Sequence, residues 1–138
     1  MKNELCFHVD KDDKILGTLT KYETHRLNPL TLKGPLHRAF SVFLLNASGT
    51  ELLLQQRSEQ KITFPLCWSN SCCSHPIAGL QEDTDDVITG IAKAARRKLH
   101  HELGLPVHLV TPNIAKFYFY SLDGKEYFLS LWSYSISR

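Results

Sequence analysis

The chain has 138 residues, 43% hydrophobic and 22% charged, which excludes a disordered, collagen-like or coiled-coil protein and leaves room for one domain, 1–138, with a sizeable core. Sixteen Lys and Arg against 14 Asp and Glu give a formal charge of only +2, too weak a field to hold a phosphate backbone by counterion release, so nucleic acid is excluded as the default partner. No apolar run approaches the roughly 20 residues that span a bilayer, and Met1–Glu4 lacks the charged and apolar regions of a leader; the expectation is a cytoplasmic protein with no membrane partner.

Leu5–Val9 and Ile15–Leu19 flank the polar Asp10–Lys14 and predict a hairpin. Residues 21–35 lose all periodicity and are rich in Asn, Pro, Thr and Gly, which predicts a loop of functional length. Arg38–Asn46 and Glu51–Gln56, on either side of Ser48-Gly49, read as two paired and moderately buried strands. Residues 57–67 read as a loop into a short strand at Trp68–Cys73, ended by Pro76 and Gly79.

From Thr84 to Leu103 the period becomes helical: Ile88, Ile91, Ala92, Ala95, Leu99 and Leu103 form one stripe, with Lys93, Arg96, Arg97 and His100 opposite. Gly104 and Pro106 supply the stop. Strands at about 115–121 and 126–136 follow, joined by an Asp123-Gly124 turn. The order of strands, one amphipathic helix and strands predicts an α+β domain.

The chemistry concentrates in Trp68–Pro76, where two thiols, an imidazole and hydroxyls fall within nine residues. On a strand Cys73 and His75 share one face and Cys72 takes the other, so Cys73 and His75 can serve one site. A cysteine beside an imidazole or a cation is suited to proton transfer or attack; a buried strand end with inert thiols is the plainer alternative. All four cysteines read as free thiols, ligands or a nucleophile rather than a disulfide framework.

His25, His37 and His75 could place three neutral imidazoles around zinc or a similar divalent ion, although scattered histidines are more often surface or satisfied core residues. Lys21, Lys33, Arg57 and Lys61 could bind a diphosphate or simply be solvated charge. Glu102 is either an oxygen ligand for magnesium or a helix-surface carboxylate.

Taken together, Leu36–Phe43, Leu53–Ser58, Lys61–Pro65, Asn70–Pro76 and Glu102–Pro106 resemble the type 1 isopentenyl-diphosphate isomerase family, which has a Nudix fold. The resemblance runs to about residue 124. It implies a Nudix-like mixed β-sheet flanked by helices, and interconversion of isopentenyl and dimethylallyl diphosphate by protonation at one carbon and deprotonation at another. It also implies Cys73 as the catalytic thiol, His25, His37 and His75 as ligands of zinc or manganese, and Lys21, Arg57, Lys61 and Ser74 as substrate-binding residues. Glu102, with the Cys73 carbonyl, matches the group that holds magnesium on the diphosphate.

The family's Glu-X-Glu pair is not matched. Ungapped spacing puts Phe128 and Ser130 there, and Glu126, the only carboxylate after Asp123, could replace one member after an even shift of strand register. Residues 125–138 diverge, and the family's further C-terminal part is expected to be missing. Three readings stay open: an active isomerase using Cys73 and Glu126, an impaired isomerase-like protein that binds only a diphosphate or a partner, and a Nudix hydrolase. The last is disfavoured because Lys98–Gly104 offers one glutamate where several are required. A monomer or weak self-association is expected, with Phe128, Leu129, Trp132 and Tyr134 partly exposed; the peroxisome is the alternative compartment, although the chain carries no Ser-Lys-Leu ending.

Overall fold

The computed structural model describes residues 3–31, 33–46, 48–82, 86–106, 110–122 and 125–136, the last two segments as backbone. Strands β1 (Leu5–Val9) and β2 (Ile15–Thr20) form the expected antiparallel hairpin. Its turn is closed by the Asp10 carboxylate, which accepts the Asp12 and Lys14 N–H groups at 2.9 Å each, an Asx-type turn.

The stretch expected as loop begins instead with a helical turn, α1 (Lys21–Thr24). Thr20 and Glu23 form a reciprocal capping box at its start. A single turn is too short to show a period, so the Thr-X-X-Glu spacing was its only signal.

Strand β3 (Arg38–Leu45) is the spine of a mixed five-stranded sheet. It runs antiparallel to β4 (Leu52–Leu53) and to β7 (Cys72–Ser74), and parallel to β9 (Lys125–Ile136), which pairs antiparallel with β8 (Val110–Leu122). Two expected strands are each split. Glu51–Gln56 becomes β4 and β5 (Gln55–Gln56), and Trp68–Cys73 becomes β6 (Trp68–Ser69), which pairs with β5, and β7.

The first of these is also exposed rather than moderately buried, with Leu52, Leu53 and Leu54 at 41%, 45% and 48%. The cause of the splitting is visible at Ser71, which is fully buried. Its hydroxyl accepts the Leu44 N–H at 2.8 Å and donates to the Leu53 carbonyl at 2.6 Å, standing in for ladder bonds where the chain changes sheet.

Helix α2 (Val87–Leu103) starts on Asp86, whose carboxylate accepts the Ile88 and Thr89 N–H groups, and stops on Gly104 at φ 67°. Ile91, Ala94, Ala95 and Leu99 are buried against Phe40, Val42, Leu44 and Cys72, so the predicted stripe is the core face. Arg97 departs from its predicted place among solvated residues: it pairs with Glu82, whose side chain is only 3% exposed.

No helix among the described residues is long and apolar enough to cross a membrane. The Asp123-Gly124 turn and the side chains of Phe128, Leu129, Trp132 and Tyr134 lie outside the described residues.

The 57–67 loop is closed by the Arg57 N–H on the Cys67 carbonyl and the Leu66 N–H on the Arg57 carbonyl, at 2.9 and 3.1 Å. Leu66 sits in it at φ 60° with 57% exposure, so it carries left-handed strain and buries little in return. Leu66→Gly is therefore expected to stabilise the chain by about 1 kcal/mol in urea unfolding, since the strain removed exceeds the entropy glycine adds. An unchanged or lower midpoint would contradict this.

Candidate metal centre

Three elements deliver one imidazole each. His25 caps the C-terminal end of α1, His37 immediately precedes β3, and His75 immediately follows β7. Their ring centroids lie 5.0 to 5.1 Å apart, and their candidate ligand atoms all fall within 4.8 Å of one another.

Two of the rings are oriented by the backbone. His25 Nδ1 is 2.8 Å from the Lys21 carbonyl and His37 Nδ1 is 2.9 Å from the Pro35 carbonyl. A carbonyl only accepts, so Nδ1 carries the proton in both and Nε2 keeps its lone pair free, the tautomer a metal needs. His75 is different: its Nδ1 is buried and has no hydrogen-bond partner among the described residues.

Burial pushes the His75 imidazole well below its ordinary range, and the neighbouring His37, Lys21 and His25 add to this. His37 is lowered too, mainly by burial, against the Pro35 carbonyl bond that favours its charged form. Three converging imidazoles, one of them with a buried Nδ1 that has no partner among the described residues, fit a divalent ion of borderline softness, and the three histidines could hold one.

The same shifts fix a sign for metal-free stability. Unfolded histidine protonates near 6.5, whereas folded His37 and His75 resist. Below about pH 6.5 the unfolded state takes up protons first, so stability present at neutral pH drains away down to the folded values. With a chelator present, the thermal midpoint is expected to fall between about pH 7 and about pH 5.5; a flat profile would contradict the assignment.

A second cluster adjoins the first. Glu102 pairs with Lys98 at 2.9 Å and accepts a hydrogen bond from the buried Cys72 thiol. Burial pushes the Glu102 carboxyl up, but Lys98, Lys61 and the Cys72 contact outweigh it and leave the group below the usual carboxylate range. The Cys72 thiol is raised far above its ordinary value by burial and by Glu102, so it is a core donor, not a nucleophile. The two clusters are joined through β7, which carries Cys72 and leads directly into His75.

Cys73 is exposed on β7 opposite Ser41, while Cys72 packs toward α2, as strand alternation requires. Ser74 is buried at 9% opposite Phe40. Lys21 pairs with Glu4 at 3.6 Å and is felt by His75. Lys61 is exposed and felt by Glu102. Arg57 spends Nε and Nη2 on the Thr63 and Phe64 carbonyls, at 2.8 to 3.2 Å, and so shapes its own loop.

Glu126 lies on β9 opposite Ser121, two residues before Phe128 meets Arg38 and four before Ser130 meets Phe40. Sequence reasoning missed His8, bridged to His37, as well as the Cys72–Glu102 contact and the Glu82–Arg97 pair. None of these has a spacing signature, because each joins distant segments.

Comparison with known proteins adds lineage to this geometry. The NUDIX domain family model matches residues 35–134. Isopentenyl-diphosphate Delta-isomerase I, chloroplastic, of Arabidopsis thaliana is 45% identical over 130 residues, covering 91% of this chain and 44% of that protein. Isopentenyl-diphosphate Delta-isomerase 1 of Mesocricetus auratus is 50% identical over 110 residues, 80% of this chain and 48% of that protein. The chain thus spans less than half the length of these curated relatives. A crystal structure of DR0079 from Deinococcus radiodurans shares the fold, with a TM-score of 0.68 at 17% identity over 98% of this chain and 74% of that one.

Proposed function

This chain belongs to the NUDIX domain family, and from that premise we propose that it interconverts isopentenyl and dimethylallyl diphosphate. The observation that carries the reading is the meeting of His25, His37 and His75 within 4.8 Å at the end of the strand that presents Cys73, in a sequence 45% to 50% identical to isomerases.

The reaction moves a double bond. A proton is added at the terminal methylene carbon, positive charge develops at the adjacent tertiary carbon, and a different proton leaves the methylene between that carbon and the one bonded to the diphosphate oxygen. An alkene is a poor base and water would trap the cation, so the acid, the base and a dry site must be in place together.

Cys73 takes one of the two proton-transfer roles, and Glu126 or a water takes the other. Lys21, Arg57, Lys61 and Ser74 bind the diphosphate, Arg57 through the part of its guanidinium not committed to its loop. Zinc or manganese in the three-histidine site supplies fixed positive charge, and the Glu102 carboxylate with the Cys73 carbonyl would hold magnesium on the diphosphate. The proposed compartment is the cytosol, with the peroxisome as the alternative.

The test is the purified chain loaded with zinc and magnesium and given isopentenyl diphosphate. Dimethylallyl diphosphate above a metal-free blank supports the reading. Its absence from folded, zinc-bound protein would leave a diphosphate-binding protein without turnover.

A further inference from the structure

Glu82 is a carboxylate with 3% side-chain exposure, and Arg97 on α2 grips both of its oxygens, Nε on Oε1 and Nη2 on Oε2 at 3.1 Å. The same pair holds peptide groups of one short segment. Glu82 Oε2 accepts the Ile77 N–H at 2.8 Å, and Arg97 Nη2 also donates to the His75 carbonyl at 3.3 Å. On its other side the segment is tied to β1 by the Cys6–Ile77 bridge and by the Ala78 N–H on the Leu5 carbonyl at 2.9 Å.

A buried charge pair is weak evidence for added stability, because desolvation cancels much of its attraction. Here its geometry points to placement. His25 and His37 each have an Nδ1 anchored on a carbonyl; His75 has no such anchor among the described residues, so its ring position depends on its backbone.

We propose that Glu82 and Arg97 are positioning residues for His75, clamping its peptide to α2 so that its imidazole meets those of His25 and His37. This rests on the metal-centre reading and extends it. Arg97 and Glu102 lie five residues apart on one helix, about 7.5 Å along its axis, so the clamp also sets His75 at a fixed distance from the Glu102 carboxylate.

The test is zinc affinity, measured on the full chain by competition with a chromophoric chelator, with thermal midpoints recorded alongside. Glu82→Gln removes the carboxylate charge, whereas Arg97→Lys keeps the charge and loses the planar fork. Both are expected to lower zinc affinity about 10- to 100-fold, the range for loss of an outer-shell partner. Ile91→Val, a core truncation on the same helix, is expected to lower the midpoint while leaving zinc affinity within about threefold.

If the parent binds zinc and both clamp variants match it, the clamp is wrong and the metal centre stands. Zinc loss that follows the midpoint equally in Ile91→Val would make the pair merely structural and overturn the proposal. A parent that binds no zinc overturns the metal centre and the clamp together.

Discussion

Cys73→Ala is expected to leave a folded, zinc-binding protein whose conversion of isopentenyl diphosphate falls by about 10²- to 10⁴-fold, the usual contribution of a positioned acid or base. The separation of folding from turnover follows from placement. Cys73 is exposed on β7 opposite Ser41, so its truncation opens no cavity in the core. Its neighbour Cys72 is fully buried against α2 and holds Glu102, so Cys72→Ala should appear first as a lower thermal midpoint. Turnover that survives in Cys73→Ala would remove the thiol from the mechanism, and with it the strongest link between this site and the isomerases.

The second large effect is at the metal. His75→Ala should weaken zinc binding more than about a hundredfold, beyond what loss of an outer-shell partner costs. In the parent, zinc at about 1,000 times its dissociation constant adds about 4 kcal/mol to folding, and a variant weakened a hundredfold should keep only about 1.4 kcal/mol of that at the same zinc concentration. Scanning thermal stability with and without zinc reads this directly. Equal zinc-dependent shifts in parent and variant would mean the ion sits elsewhere. His75 is the most informative of the three because it is the most strongly held neutral, by burial and neighbouring charge, and its Nδ1 has no partner among the described residues.

The two effects are independent readouts of one constellation. Loss of zinc without Cys73 dependence would describe a metalloprotein with different chemistry. Cys73 dependence without zinc would describe proton transfer for which the histidines serve only as structure.

Much of the local architecture was legible in the residues. Leu5–Val9, Ile15–Leu19 and the helical stripe through Ile91, Ala95 and Leu99 follow from side-chain period, and Gly104 from its left-handed stop. These signals are short-range, since each depends on residues within about one turn or one hairpin. The α1 turn was less legible because four residues cannot display a period, and its capping box alone had to announce it.

The split of Glu51–Gln56 and Trp68–Cys73 between two sheets was not legible, because alternation cannot say which partner a strand will find. The Ser71 hydroxyl, bonded to Leu44 and Leu53, makes that division possible without leaving buried peptide groups unpaired. Arg97 was misplaced for a related reason. Periodicity assigns a charged residue to the solvated face, and only Glu82, brought back from fifteen residues upstream, gives it a buried partner.

By itself the sequence determined the α+β class, the hairpin, the core stripe of α2, and which residue types, thiol, imidazole and carboxylate, were available for chemistry. Only the tertiary structure decided that His25, His37 and His75 meet, that Cys72 serves the core while Cys73 faces outward, and that Glu82 and Arg97 hold the segment carrying His75. The physical reason is range. Period, turn and cap energies act between near neighbours, whereas a site assembled from α1, the start of β3 and the end of β7 is set by long-range strand register and by which buried polar groups find partners.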